Sequence, residues 1–130
     1  MTLEEKELLL KDICGRLPYG VKALFYDVEK NYISIIEGID IYNFIKDNSG
    51  MESEISDVKP YLFPLSSMTE EQSKELEEID PEFYSLICEN GDICVSMDVR
   101  GYDWLNKNHF DYRGIIKKGL AIDATNLNIY

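Results

Sequence analysis

The chain is poor in the residues that most often carry chemistry. Its 130 residues include one histidine, His109, and one tryptophan, Trp104, with three cysteines and four prolines. The cysteines, Cys14, Cys88 and Cys94, are an odd number without staple-like spacing, which fits reduced thiols in a cytoplasmic protein. Neither Cys88 nor Cys94 has a histidine near it in sequence, so zinc spacing and a thiolate nucleophile are both missing, and no structural metal is expected. No serine sits in a G-x-S-x-G elbow, and no glycine-rich loop could cradle a phosphate. No cofactor is expected. Basic residues are scarce: 13 lysines and arginines face 25 acids, for a net charge of −12. A phosphate backbone or an anionic lipid surface would be repelled, so direct nucleic-acid binding is disfavoured. No apolar run approaches the ~20 residues that span a bilayer, and the opening MTLEEKELLLKDICG has acids where a signal peptide needs bases.

What is present is core-forming material. With 45% apolar and 12% aromatic residues, the chain is expected to fold as one globular domain over residues 1–130. Its charge is uneven. Residues 1–50 carry 9 acids and 6 bases, residues 51–90 carry 11 and 2, and residues 91–130 carry 5 of each. Most of the excess negative charge therefore lies in the middle third.

Local signals predict an α+β domain, with a mostly antiparallel sheet, helices on one face and the order α-β-β-β-α-β-β-α-α. Thr2 and Glu5 form a capping box for a first helix with an apolar stripe of Leu3, Leu9, Leu10 and Ile13, and Gly15 is placed to end it. Val21–Val28 and Tyr32–Ile39 read as strands flanking a Glu29-Lys30-Asn31 turn. IYNFIKDNSGMESE reads as loop, with Asn48-Ser49-Gly50 as its turn. EISDVKPYLF is a third strand, which Pro60 should confine to a sheet edge or a bulge. Thr69 and Gln72 box a second helix that must stop before Pro81. Asn90-Gly91 signals a type I′ hairpin that puts Cys88 and Cys94 on opposite faces, without a disulfide. Asp98 can cap a helix through Trp104, and Asp111 a shorter one ending at Gly119.

Candidate sites are few. His109 with Asp111 invites a general-base reading. A short NHFD segment between two helices more often serves packing and capping, with Trp104, Leu105 and Phe110 as anchors. The run EEQSKELEEID puts Glu71, Glu75 and Glu78, with Glu70 before them, on a solvated helix face. Nine tyrosines favour a binding module over an enzyme, because a tyrosine ring offers contact area at low entropy cost.

Two segments, VKPYLFPLSSMTEEQ (Val58–Gln72) and DWLNKNHFDYRGIIKKGLAI (Asp103–Ile122), resemble a family of small uncharacterised proteins of gut-bacterial phages, prophages and mobile elements. Its members carry KPYL-x-P-[LM]-SSMT and DWLN-x-x-HFDYRG motifs. The resemblance spans 35 of the 130 residues. It implies a bacterial cytoplasmic setting, and it makes Trp104, His109, Asp111, Tyr112 and Arg113 the candidate binding surface. The expected function is a non-enzymatic phage or mobile-element protein whose acidic surface, with Glu70, Glu71, Glu75 and Glu78, binds a basic protein partner. The alternatives are a DNA mimic that blocks a host nucleic-acid-binding protein, and an enzyme using His109.

Overall fold

The computed structural model describes residues 1–81 and 99–130. The Asn90-Gly91 hairpin, the placement of Cys88 and Cys94 and the Asp98 cap lie outside the described residues.

Helix α1 (Leu3–Arg16) starts as its sequence dictates. The Thr2 N–H donates to Glu5 Oε1 at 3.0 Å, and Glu5 N–H returns to Thr2 Oγ1 at 3.1 Å. Gly15 does not end this helix. It lies in the last turn, and a Cβ there would meet Asn106 Nδ2 at 3.3 Å, so its role is to let a neighbouring helix approach. The left-handed closure falls five residues later, at Gly20 with φ 67°.

Strands β1 (Lys22–Phe25) and β2 (Tyr32–Ile39) form the expected antiparallel hairpin. Their facing rings, Phe25 and Tyr32, stack at 5.2 Å. The stretch expected to be loop contributes two short strands instead, β3 (Ile45–Asp47) and β4 (Glu52–Ser53). Asp47 organises their turn: Oδ1 accepts from the Ser49 and Met51 amides and the Ser49 hydroxyl, and Oδ2 accepts from the Tyr32 hydroxyl. Burial would raise this carboxyl group, but the bonds from Ser49, Tyr32 and Met51 hold it below its ordinary value.

A 3₁₀ turn over Ile55–Asp57 leads into β5 (Val58–Pro64). Contrary to the edge expected from Pro60, β5 is interior. It pairs antiparallel with β1 and parallel with β6 (Phe110–Asp111) and β7 (Ile122–Asp123). The bond from Tyr26 N–H to Asp57 O sets the ladder's phase. It puts the Ala23–Pro60 pair at a position where neither residue bonds across, so the missing N–H costs the β1 ladder nothing. The sheet order is β4-β3-β2-β1-β5-β6, with β7 also on β5.

Helix α2 (Glu70–Ile79) carries the Thr69–Gln72 capping box and stops before Pro81. Helix α3 (Val99–Lys107) packs against both α1 and α2. No helix follows Asp111. Gly114 at φ 70° breaks the right-handed path, and the Asp111 carboxylate takes the amides of Arg113, Ile115 and Ile116 into a compact turn. The architecture is α+β with a mostly antiparallel sheet.

Two apolar clusters fill it. The larger joins Leu9 and Ile13 of α1 to Phe25, Ile36, Ile45, Val58 and Leu62 of the sheet and to Ile115 and Leu120. The smaller consists of Leu76, Trp104, Leu105 and Phe110, flanked by Phe63, Met68 and Ile79. Because β5 pairs with β6 and β7, the segments Val58–Gln72 and Asp103–Ile122 lie against one another.

Candidate functional site

Trp104, His109 and Asp111 are engaged in packing and backbone bonding. The Trp104 ring stacks on Phe110 at 5.6 Å, and its Nε1–H donates to Glu75 Oε1 at 2.9 Å. His109 has a left-handed backbone, φ 62°, which lets its carbonyl receive the Phe63 amide at 2.8 Å. Its imidazole is buried and lies flat on the Tyr130 ring, 3.7 Å between centroids, and Nδ1 has no hydrogen-bond partner. Burial, with the Arg16 and Lys22 charges nearby, lowers its pKa from 6.5 to about 4. The imidazole is therefore neutral at neutral pH. Asp111, the carboxylate expected beside it, is turned toward three amides. The pairing a general base would need is not assembled.

Tyr130 holds this corner together. Continued by one pair, the β1–β5 ladder would join Lys22 to Tyr61. The Tyr130 hydroxyl takes that place instead, accepting from Lys22 N–H at 2.8 Å and donating to Tyr61 O at 2.8 Å. Lys22 Nζ in turn donates to Ile129 O at 2.7 Å. Burial of the hydroxyl pushes its pKa up to about 12.

Beneath the turn lies an ionic cluster that sequence reading missed. Arg16, fully buried on α1, grips Asp12 through Nε and Nη2 at 2.8 and 3.0 Å, and Nη2 also donates to Phe110 O at 2.6 Å. Arg113 Nη1 shares the same carboxylate at 2.9 Å and donates to the Tyr112 hydroxyl at 2.8 Å. The available signal was position: Asp12 and Arg16 fall on the same helical stripe as Leu9 and Ile13, four residues apart. Polar residues at core positions need partners.

The acidic face of α2 is present. Glu70, Glu71 and Glu78 are exposed, as is Glu75, which accepts from Trp104.

A second acidic surface was not anticipated. Between α1 and the β2–β3 connection lies a groove of about 400 Å³ lined by Leu3, Leu10, Tyr42, Phe44 and Ile55, with Glu7, Glu54 and Lys6. It adjoins a hollow of about 380 Å³ that shares Phe44 and Glu54 and adds Tyr26, Val28, Tyr32 and Met51 with Asp27, Glu52 and Asp57. Among the described residues, five carboxylates thus line the combined groove against one lysine, Lys6, while Lys46 lies 3.9 Å from Glu52 and Lys59 lies over the Tyr26 ring. Several of its apolar residues are open: Tyr42 is 75% exposed, Leu3 72% and Met51 53%. The signal for it was the apolar Ile41, Tyr42 and Phe44 inside a stretch read as loop.

Among the described residues, no three His, Cys, Asp or Glu side chains are grouped to hold a metal ion, and no helix is long and apolar enough to cross a membrane. Comparison with protein-family models, curated proteins and solved structures gave no match.

Proposed function

We propose that this chain is a protein-binding module that takes a basic, partly apolar segment of another protein into the groove between α1 and the β3–β4 region. One observation carries the reading: among the described residues, an open apolar and aromatic groove is lined by five carboxylates and one lysine. Exposed aromatic and aliphatic side chains supply the contact area that drives association. The carboxylates select a cationic partner and speed its approach in a salt-dependent way. The resemblance of two segments to phage and mobile-element proteins supports a bacterial cytoplasmic setting for that partner.

Helix α2 is a poorer candidate for the contact. Ten residues extend only about 15 Å, a length over which B-DNA presents roughly nine phosphates. Five glutamates on such a helix are too few for a DNA mimic, and Glu75 is already bonded to Trp104.

The test is affinity capture from a bacterial lysate, repeated at about 1 M salt, where the Debye length falls to about 3 Å. Wild type should retain a basic protein at low salt and release it at high salt. Glu54→Lys with Tyr42→Ser should lose it, and Glu71→Lys with Glu78→Lys should keep it. Retention that ignores salt, or that follows the α2 pair instead, overturns the proposal.

A further inference from the structure

On the far side of the Asp12 cluster, an open cleft of about 410 Å³ lies between α1 and α3, lined among the described residues by Gly15, Tyr102, Asn106, Tyr112 and Arg113. Its hydrogen-bonding capacity is one-sided. Arg113 uses Nη1 on Asp12 and on the Tyr112 hydroxyl, and its Nε and Nη2 hydrogens have no partner among the described residues, although the side chain is only 21% exposed. The Tyr112 oxygen accepts from Arg113, so its proton goes to Asn106 Oδ1 at 2.9 Å. That bond fixes the orientation of the Asn106 amide, with its carbonyl engaged and its NH₂ group, without a partner among the described residues, lying over Gly15. The two nearby carboxylates are occupied. Asp12 is held by two guanidiniums, and Asp111 faces three backbone amides.

A cleft whose free groups are donors, backed by two guanidiniums sharing one carboxylate, is complementary to an acceptor with negative charge. We propose that this cleft binds the oxyanion group of a small molecule, a carboxylate or a phosphate. Arg113 presents Nε and Nη2 side-on to two of its oxygens, and the Asn106 NH₂ group donates to the group from α3. The Tyr102 and Tyr112 rings, tilted at 57° with centroids 5.1 Å apart, form an aromatic wall for the rest of the ligand. Gly15 keeps the floor open, since a Cβ there would crowd the Asn106 nitrogen. The site is independent of the acidic groove: it lies on α1, α3 and the Asp111 turn, and it takes a ligand of opposite charge.

The test is a titration of ¹⁵N-labelled protein with benzoate and, separately, with inorganic phosphate, following the Arg113 Nε–H and Asn106 NH₂ resonances. At least one anion should give saturable shifts at both groups. Saturation by benzoate alone identifies a carboxylate ligand with an aromatic body, by phosphate alone a phosphoryl ligand, and by both a general oxyanion site. Asn106→Asp keeps the acceptor for Tyr112 but replaces the donor with a carboxylate. It should weaken binding at least about tenfold, the loss expected for charge-assisted hydrogen bonds. Arg113→Lys keeps the charge near Asp12 but loses the planar fork, and should weaken binding as well. Lys117→Gln, on an exposed lysine outside the cleft, should leave it unchanged. The proposal fails if neither anion saturates, or if Asn106→Asp, with an unaltered melting temperature, binds as tightly as wild type.

Discussion

Replacing His109 by Asn should flatten part of the acid sensitivity of this fold. Asparagine accepts the left-handed backbone that His109 adopts at φ 62° and does not titrate. The folded imidazole holds off its proton until about pH 4, against 6.5 for an ordinary histidine. In the unfolded chain it protonates as the pH falls through 6.5. The unfolded state therefore binds more protons between these values, and the folded state loses stability as the pH drops. The contribution is fully present above about pH 6.5 and gone near pH 4. At about 1.4 kcal/mol per pH unit, the interval corresponds to roughly 3 kcal/mol. Urea unfolding of both proteins across this range isolates the term, because the carboxylate contributions common to both cancel in the difference. At pH 7 the variant should be the less stable, having lost the stack on Tyr130. The gap should close by roughly 3 kcal/mol as the pH approaches 4. A constant gap, or an imidazole proton resonance that titrates near 6.5, would refute the burial account of His109.

Other substitutions probe the remaining contacts. Asp12→Asn leaves the fully buried Arg16 and its neighbour Arg113 without their shared carboxylate, and should cost about 3–5 kcal/mol in urea unfolding. Leu76→Ala opens a cavity under Trp104, Leu105 and Phe110, and should cost about 2–5 kcal/mol by the same assay. Tyr130→Phe removes only the hydroxyl wedged between Lys22 and Tyr61. It should cost about 1 kcal/mol and speed hydrogen exchange of the Lys22 amide.

The helix starts were legible because their signals are local. Thr2 with Glu5 and Thr69 with Gln72 complete their caps within four residues, and the β1–β2 hairpin announces itself by its β-rich flanks. Strands β3 and β4 were not, since three and two residues are too few to show a period and the Asp47 carboxylate adds its own bonds to the main-chain bonds of their turn. Pro60 suggested an edge because a proline lacks a donor, and only the register with Ala23 reveals that β1 asks for none there. Asp111 carries a helix-cap signal, yet Gly114 diverts the residues it caps into a turn instead of a helix. The Tyr130 wedge joins residues 108 apart in sequence, beyond any local signal. Of the candidate site residues, the burial of Trp104 and His109 follows from their apolar neighbours. The donors of Arg113 become meaningful only once α1 and α3 bring Asp12 and Asn106 beside them.

The most direct test of the binding groove is a shift map of ¹⁵N-labelled protein titrated with a synthetic amphipathic peptide of lysine and leucine. Saturable changes should concentrate at Leu10, Tyr42, Phe44, Ser53 and Asp57, and Glu54→Lys should abolish them. Changes confined to Glu70–Glu78, or shifts that grow without saturating, would contradict the assignment of recognition to this groove.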